Sequence, residues 1–112
     1  MSLKRESDAL DPEWIENLPV KIRQYIEARK YRFTEHALER QSLRSLSLPD
    51  VVEVLLHGFH EKEKTLFCTK FQTWKYGIRG KTVDGADVRV IIVIEEGIII
   101  ITAIRLPRKV RR

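Results

Sequence analysis

A histidine and an arginine lie four residues apart in the segment RFTEHALER, which spans residues 32–40. On a helix this spacing places His36 and Arg40 on one face, within reach of a common anion. Imidazole exchanges a proton near neutral pH, and a guanidinium can hold two phosphate oxygens. Phosphodiester cleavage needs both functions, for proton transfer and for stabilising the phosphorane charge. The alternative, a partly buried structural histidine beside a solvated arginine, stays open.

The sequence gives less support to a metal site or a disulfide than to an anion site at His36 and Arg40. His57 and His60 flank Gly58-Phe59 and precede Glu61; such a cluster could bind zinc, but its spacing matches no strong metal signature. We interpret these residues as a loop after a helix and predict neither metal nor cofactor. The single cysteine, Cys68, excludes an intramolecular disulfide, and its apolar neighbours predict a small buried side chain.

Positive charge is concentrated at one end of the chain. The net charge is +5 with a pI of about 9.6. The last eight residues, RLPRKVRR, hold five cations and no acid, so the remainder is neutral overall. A basic tail fits a polyanion such as RNA, and a solvated terminus is the alternative.

The composition is that of an ordinary globular protein. The chain has 112 residues, of which 43% are hydrophobic and 33% are charged, and this predicts a single domain over residues 1–112. No apolar run approaches the roughly 20 residues of a membrane helix. The first residues, MSLKRESD, lack the apolar core of a secretory signal. We therefore expect a cytoplasmic protein without a membrane span.

Helices are predicted in the first half, where apolar residues recur with a period near 3.6 from Trp14 to Ile26. Asp11 and Pro12 are suited to begin this helical segment, and Pro19 is expected to divide it. Thr34 can cap a helix over EHALERQSL. A further helix is expected from the sequence SLPD, at residues 47–50, to Gly58.

Strands are predicted in the second half, at residues 65–71, 73–79, 87–94 and 98–106. Asp84-Gly85 and residues 95–97 provide tight turns, so consecutive strands should pair antiparallel. The last two strands are apolar on both faces by simple alternation, with Ile98, Ile100, Thr102 and Ile104 sharing one face. Both are therefore expected to be central, with helices on one face and a partial cover, such as a second copy of the chain, on the other.

The order of these motifs resembles a known family. The opening FTEHALER, Arg44, the helix sequence LPDVVEVLL, Gly58, Lys75-Tyr76, Asp84-Gly85 and the closing IITA resemble domain of unknown function 4258 over residues 31–106. The resemblance extends to the RelE-like superfamily, including MqsR-like ribonuclease toxins. It implies an α+β fold of two to three N-terminal helices on a four-stranded antiparallel sheet, with residues 1–30 as a helical extension and 107–112 as a basic tail.

The resemblance also implies a function and a site. The leading hypothesis is a metal-independent endoribonuclease, the toxin of a toxin–antitoxin pair, with RNA as substrate and a zinc-finger antitoxin as partner. His36, Arg40, Lys75 and Arg79 are the predicted catalytic residues, and Arg44, Arg89 and Arg105 the predicted nucleic-acid contacts. The alternative is a non-catalytic module that binds RNA or protein with the same surface. The hypothesis requires His36 to lie near the basic residues of the strands.

Overall fold

Capping and proline residues set where the helices begin. The computed structural model describes residues 15–43 and 46–107, and within them it contains helices α1 (Leu18–Glu27), α2 (Glu35–Leu43) and α3 (Leu48–His57). Pro19 lies in the first turn of α1. Thr34 Oγ1 accepts a hydrogen bond from the Ala37 amide at 3.0 Å, as predicted. The predicted start at Asp11 and Pro12 lies outside the described residues.

A reciprocal capping box begins α3. The Asp50 amide donates to Ser47 Oγ, and the Ser47 amide donates to an Asp50 carboxylate oxygen, both at 3.1 Å. Two donors at the helix terminus are thereby satisfied. The predicted helix from the SLPD sequence is confirmed, and it ends at His57 before Gly58.

The sheet has six strands and is mixed, whereas four antiparallel strands were predicted. Its order is β1-β6-β5-β4-β2, with β3 also paired to β4. A short 3₁₀-helix covers Lys62–Lys64. The strands are β1 (Tyr31–Phe33), β2 (Phe59–His60), β3 (Leu66–Cys68), β4 (Thr73–Lys81), β5 (Asp87–Ile94) and β6 (Ile98–Arg105).

Strand β1 accounts for most of the difference between the predicted antiparallel sheet and the observed mixed sheet. Its three residues follow α1 and pair in parallel with β6, so the helices do not all precede the sheet. Backbone hydrogen bonds on either side hold the segment in place: the Ile98 amide donates to the Lys30 carbonyl at 2.9 Å, and the Thr34 amide to the Ile100 carbonyl at 3.1 Å. Three residues carry too little periodicity to predict a strand.

All three helices contribute to a core on one face of the sheet. The strands supply alternate residues to it, as period-two geometry requires. The buried residues include Leu18, Ile22, Ala37, Val51, Val54, Leu55, Tyr76, Ile78, Val88, Val90, Ile92, Ile98, Ile100 and Ala103. We call the opposite face of the sheet the outer face.

A β-bulge changes which β6 residues lie on the outer face. Ile92 pairs with Ile100, but Ile91 pairs with Thr102, so Ile101 is an extra residue. Ala103 consequently joins the core, with an exposed fraction of 1%. The predicted alternation along β6 is therefore wrong beyond Ile100, because an inserted residue inverts the parity of those that follow.

The chain itself covers part of the outer face. The Glu61 amide donates to the Gly77 carbonyl at 2.8 Å, and the Gly77 amide donates to Thr65 Oγ1 at 3.0 Å. Residues 61–65 therefore lie beside the middle of β4, and a Cβ added at Gly77 would be 3.1 Å from Lys64 Cβ. Beyond them Cys68 in β3 is a free thiol and is half-buried, rather than buried as predicted.

No helix in residues 15–43 or 46–107 is long and apolar enough to cross a membrane.

Candidate functional site

Two arginines and two carboxylates form an ion network on the outer face. Glu61, with an exposed fraction of 4%, accepts from Arg89 Nε at 2.7 Å and from Arg89 Nη2 at 3.0 Å. Its Oε2 also lies 3.4 Å from Arg79 Nη1. Asp87 accepts from Arg79 Nε at 3.2 Å and Nη2 at 2.7 Å. Each guanidinium thus has two parallel hydrogen bonds to a carboxylate, the strongest form of this pairing.

The carboxylates and guanidinium groups of the network stabilise one another's charge. Hydrogen bonds from Arg89 lower the pKa of Glu61, and hydrogen bonds from Arg79 lower the pKa of Asp87. The same contacts raise the pKa of both arginines. All four groups are consequently charged at neutral pH. Arg79 and Arg89 are opposite each other in the β4–β5 register, and Glu61 neutralises a pair that would otherwise repel.

A pocket with two unpaired cations adjoins the network. It has a volume of about 580 Å³, and we call it the cationic pocket. Neither Lys81 nor Arg105 makes an ion pair with another residue of the described chain. Its lining is mostly polar: Arg79, Lys81, Asp84, Gly85, Ala86, Asp87, Arg105, Leu106 and Pro107.

The β4–β5 turn shapes one wall of this pocket. Gly85 has φ = +88°, a conformation that an L side chain disfavours, as the Asp-Gly sequence predicts. Thr82 accepts from the Ala86 amide at 3.0 Å and donates to the Asp84 carboxylate. That hydrogen bond lowers the pKa of Asp84. The turn therefore keeps Asp84 ionised beside the cations, and the lining has three positive and two negative side chains.

The structure brings only some of the predicted residues together. Arg79 and Arg105 line the cationic pocket, and Arg89 lies beside Arg79 in the ion network. Lys75 shares the outer face with Arg79 but lies four residues away, about 13 Å at the usual rise of a strand. Arg40 belongs to α2 with its side chain outside the described part, and Arg44 lies outside the described residues.

His36 is separated from Lys75 and Arg79 by the sheet. It is exposed on α2, the helix whose Ala37 packs into the core. Lys75 and Arg79 point from the opposite face of the sheet, since their neighbours Tyr76 and Ile78 are the core residues of β4. The predicted catalytic group of His36, Lys75 and Arg79 therefore does not converge on one concave surface.

The sequence interpretation as loop residues holds for Glu61, which lies between β2 and the 3₁₀-helix, but is wrong for His57 and His60. His57 ends α3 and its Nε2 lies 3.6 Å from a Glu53 carboxylate oxygen. His60 belongs to β2, where Nε2 is 3.0 Å from Thr65 Oγ1 and the ring meets Tyr76 edge to face. Glu61 is the centre of the ion network. No group of three or more metal-ligating side chains occurs in the part of the chain that the structure describes.

The environment of His60 predicts an acid-sensitive fold. Burial lowers its pKa below the ordinary 6.5, nearby Lys62 acts in the same direction, and Glu16 opposes them. The folded state thus favours neutral imidazole, and its stabilisation is complete above pH 6.5 and lost as the pH falls through the lower folded value. We expect the free energy of unfolding, measured in urea, to fall between pH 7.5 and pH 5.

The His60→Gln variant is the control for this pH dependence. It should be less stable at pH 7.5 but show a flatter profile over the same interval. The carboxylates Glu61 and Asp87 have lowered pKa values, so their stabilisation is lost only at more acidic pH, below the ordinary glutamate value of 4.5. An unchanged profile in His60→Gln would show that another group causes the acid sensitivity.

Comparison with known proteins defines the family. The fold is an α+β domain with helices on one face of a mixed sheet and charged groups on the other. The sequence profile of domain of unknown function (DUF4258) matches residues 33–105, and the chain belongs to that family. Searches of curated proteins and of solved structures gave no match.

Proposed function

We propose that this protein binds RNA through the cationic pocket. The observation that supports the proposal is the position of Lys81 and Arg105 on one concave surface, where neither forms an ion pair in the described chain although Asp87 and Asp84 lie near enough to interact with them electrostatically. Phosphate groups bind where ammonium and guanidinium donors converge, because charge-assisted hydrogen bonds are strong and a guanidinium can hold two oxygens.

The sequence that follows the last residue of the pocket lining is basic. Pro107 lines the pocket, and the chain continues with Arg108 and Lys109, then Arg111 and Arg112. A chain of phosphates carries enough negative charge to engage cations both in the pocket and in this sequence. This supports a polymeric anion rather than a single small phosphate as the ligand.

Removal of both unpaired cations should weaken RNA binding. For Lys81→Gln/Arg105→Gln we expect the dissociation constant of a fluorescein-labelled single-stranded RNA to rise about tenfold or more, as two contacts of ~1 kcal/mol each are lost. Fluorescence anisotropy at fixed salt measures the change. The matched control is Arg23→Gln, an exposed cation on α1, which should leave the constant unchanged. Equal losses in both variants would contradict binding at the pocket.

The second candidate is a metal-independent endoribonuclease toxin that uses the same pocket. The observation favouring it is that Lys81 and Arg105, which form no ion pair in the described chain, line one cavity, where they would stabilise the extra negative charge of a phosphorane. This proposal retains the RNA substrate and the zinc-finger antitoxin implied by the RelE-like resemblance. It assigns no role to His36, which lies on the other side of the sheet from Arg79.

Cleavage of RNA in the presence of EDTA distinguishes the two candidates. If the protein is an enzyme, Lys81→Gln/Arg105→Gln should lower the cleavage rate by about 100-fold or more, and His36→Ala should retain it. Binding without cleavage supports the first candidate. A rate abolished by His36→Ala would restore the original catalytic hypothesis. Growth arrest on expression, relieved by a co-expressed antitoxin, would support the toxin role.

A further inference from the structure

A second concave surface lies on the outer face, at the end remote from the cationic pocket. We call it the apolar groove, and its volume is about 530 Å³. Aliphatic side chains of β5 and β6 line it, and Phe71 from the turn before β4 stands at its side with 66% of its surface exposed. Its lining includes Phe71, Lys75, Val93, Glu95, Ile99 and Ile101.

The apolar strip of the groove lies on the face of the sheet away from the helices. Val93 and Ile99 are paired in the β5–β6 register; Ile99 is half-buried, and Val93 has only 9% of its surface exposed. Ile101 reaches the same side because it is the extra residue of the bulge. Beside the groove Leu66, opposite Lys75 in the β3–β4 register, has 68% of its surface exposed. Clustered exposed apolar side chains commonly mark a contact surface for another molecule.

Cations lie on both sides of the apolar strip. Lys75 is on β4, and Arg32 is on β1, where it pairs with Ile99 and is exposed. The neighbouring depression that contains Arg32 shares Ile99 and Glu95 with the groove. With β6 and β5 between them, the backbones of these two residues are about 14 Å apart. Neither forms an ion pair within residues 15–43 and 46–107.

We propose that the apolar groove binds a segment of a partner protein in which apolar side chains are flanked by acidic ones. Such a segment places its apolar residues on Val93, Ile99 and Ile101 and its carboxylates near Lys75 and Arg32. The acid Glu95, at the end of β5, disfavours carboxylates at that side of the groove. This site is independent of the proposed RNA site, from which it differs in position and in chemistry.

A second copy of the chain fits the groove less well. Two sheets stacked face to face about a two-fold axis present the same patch to each other. With the axis along the strands, Arg32 of one copy faces Lys75 of the other. With the axis across the strands, each cation faces its own equivalent. Both arrangements oppose like charges, whereas an acidic segment neutralises them.

Selection from a displayed library of random peptides tests the proposal on the full chain. Enriched peptides are expected to carry two or more aliphatic or aromatic residues with Asp or Glu on either side. The most enriched peptide, synthesised with a fluorescent label, is then titrated against variants. Ile99→Ser should weaken its binding at least tenfold, and Val83→Ser, which removes an exposed apolar side chain outside the groove, should leave binding unchanged.

The charge-reversal variant Lys75→Glu provides a second test of the proposal if Ile99→Ser does not fold. Lys75→Glu should weaken the acidic peptide at least fivefold and shift a new selection toward basic peptides. No enrichment, enrichment of basic peptides by the unaltered chain, or binding unaffected by Lys75→Glu would overturn the proposal. So would a dimer in sedimentation that Lys75→Glu or Ile99→Ser abolishes. Displacement of the peptide by RNA, with loss of binding in Lys81→Gln/Arg105→Gln, would assign it to the cationic pocket and also overturn the proposal.

Discussion

Replacing Glu61 by alanine is expected to lower the free energy of unfolding by about 2–4 kcal/mol. The side chain is 4% exposed and receives three guanidinium contacts. Its removal leaves Arg79 and Arg89 opposite each other without the charge between them, and an uncompensated buried charge is the main cost of breaking such a pair. The loss stays below the largest values known for breaking a buried ion pair, because Arg79 is 35% exposed and remains partly hydrated. Urea denaturation followed by circular dichroism measures the change.

Glu63→Ala is the matched control for this prediction. Glu63 is two residues away and exposed, in the 3₁₀-helix, so its removal should change the free energy of unfolding by less than about 0.5 kcal/mol. A loss in Glu61→Ala no larger than that in Glu63→Ala would contradict the structural role of the network. Replacement of both Glu61 and Arg89 by methionine should recover part of the stability, since the buried charges are then removed together.

Gly58→Ala is expected to be about as damaging, with a loss of ~3 kcal/mol. An added Cβ would lie 2.5 Å from the carbonyl oxygens of both Val54 and Arg79. Both contacts are with backbone, which cannot move aside as a flexible side chain could, so the cost falls at the upper end of that for overpacking. Gly58 lets the end of α3 approach β4, and this approach positions the segment that carries Glu61. The loss would be measured as a lower denaturant midpoint, with an unchanged slope of the unfolding free energy against denaturant concentration.

The Gly85→Ala substitution measures the cost of an unfavourable backbone conformation alone, whereas Gly58→Ala measures the cost of a close contact. Gly85 has a positive φ of 88°, but an added Cβ meets nothing within 4 Å. Its substitution should cost about 1 kcal/mol, the usual penalty for a non-glycine residue in this conformation. If Gly58→Ala were no worse than Gly85→Ala, the close approach of α3 to β4 would not be a constraint on the fold.

Local sequence was sufficient to predict the features that depend on neighbouring residues. The cap at Thr34, the capping box at Ser47 and the glycine turn at Gly85 each involve groups within about four positions. The end of α3 shows where this reasoning stops. Gly58 was correctly predicted to follow the helix, but it has φ = −82°, not the left-handed conformation usual for glycine there. Glycine is needed because of β4, more than 20 positions later.

The outer face depends on contacts that the sequence does not reveal. The parallel pairing of Tyr31–Phe33 joins segments more than 60 positions apart, and the extra residue at Ile101 becomes visible only in the register with β5. Alternation alone therefore assigned the wrong face beyond Ile100. Simple periodicity assumes an unbroken ladder, and a single insertion invalidates it for every later residue of the strand.

The candidate site was predicted in part, as individual cations rather than as an arrangement. Arg79 and Arg105 were identified and do share a pocket, but Lys81 was missed because nothing in its local sequence distinguishes it from solvated surface. Glu61 was missed because its partners lie 18 and 28 positions away. Had the register of Arg79 opposite Arg89 been known, the need for a buried carboxylate could have been inferred.

The salt dependence of RNA binding tests the central proposal most directly. Each phosphate contact with single-stranded RNA contributes about −0.7 to the slope of log affinity against log salt concentration, because bound counterions are released. We predict that Lys81→Gln/Arg105→Gln reduces the magnitude of this slope by about 1.4, while Arg23→Gln leaves it unchanged. A double variant with the slope of the unaltered protein would contradict phosphate binding at the cationic pocket.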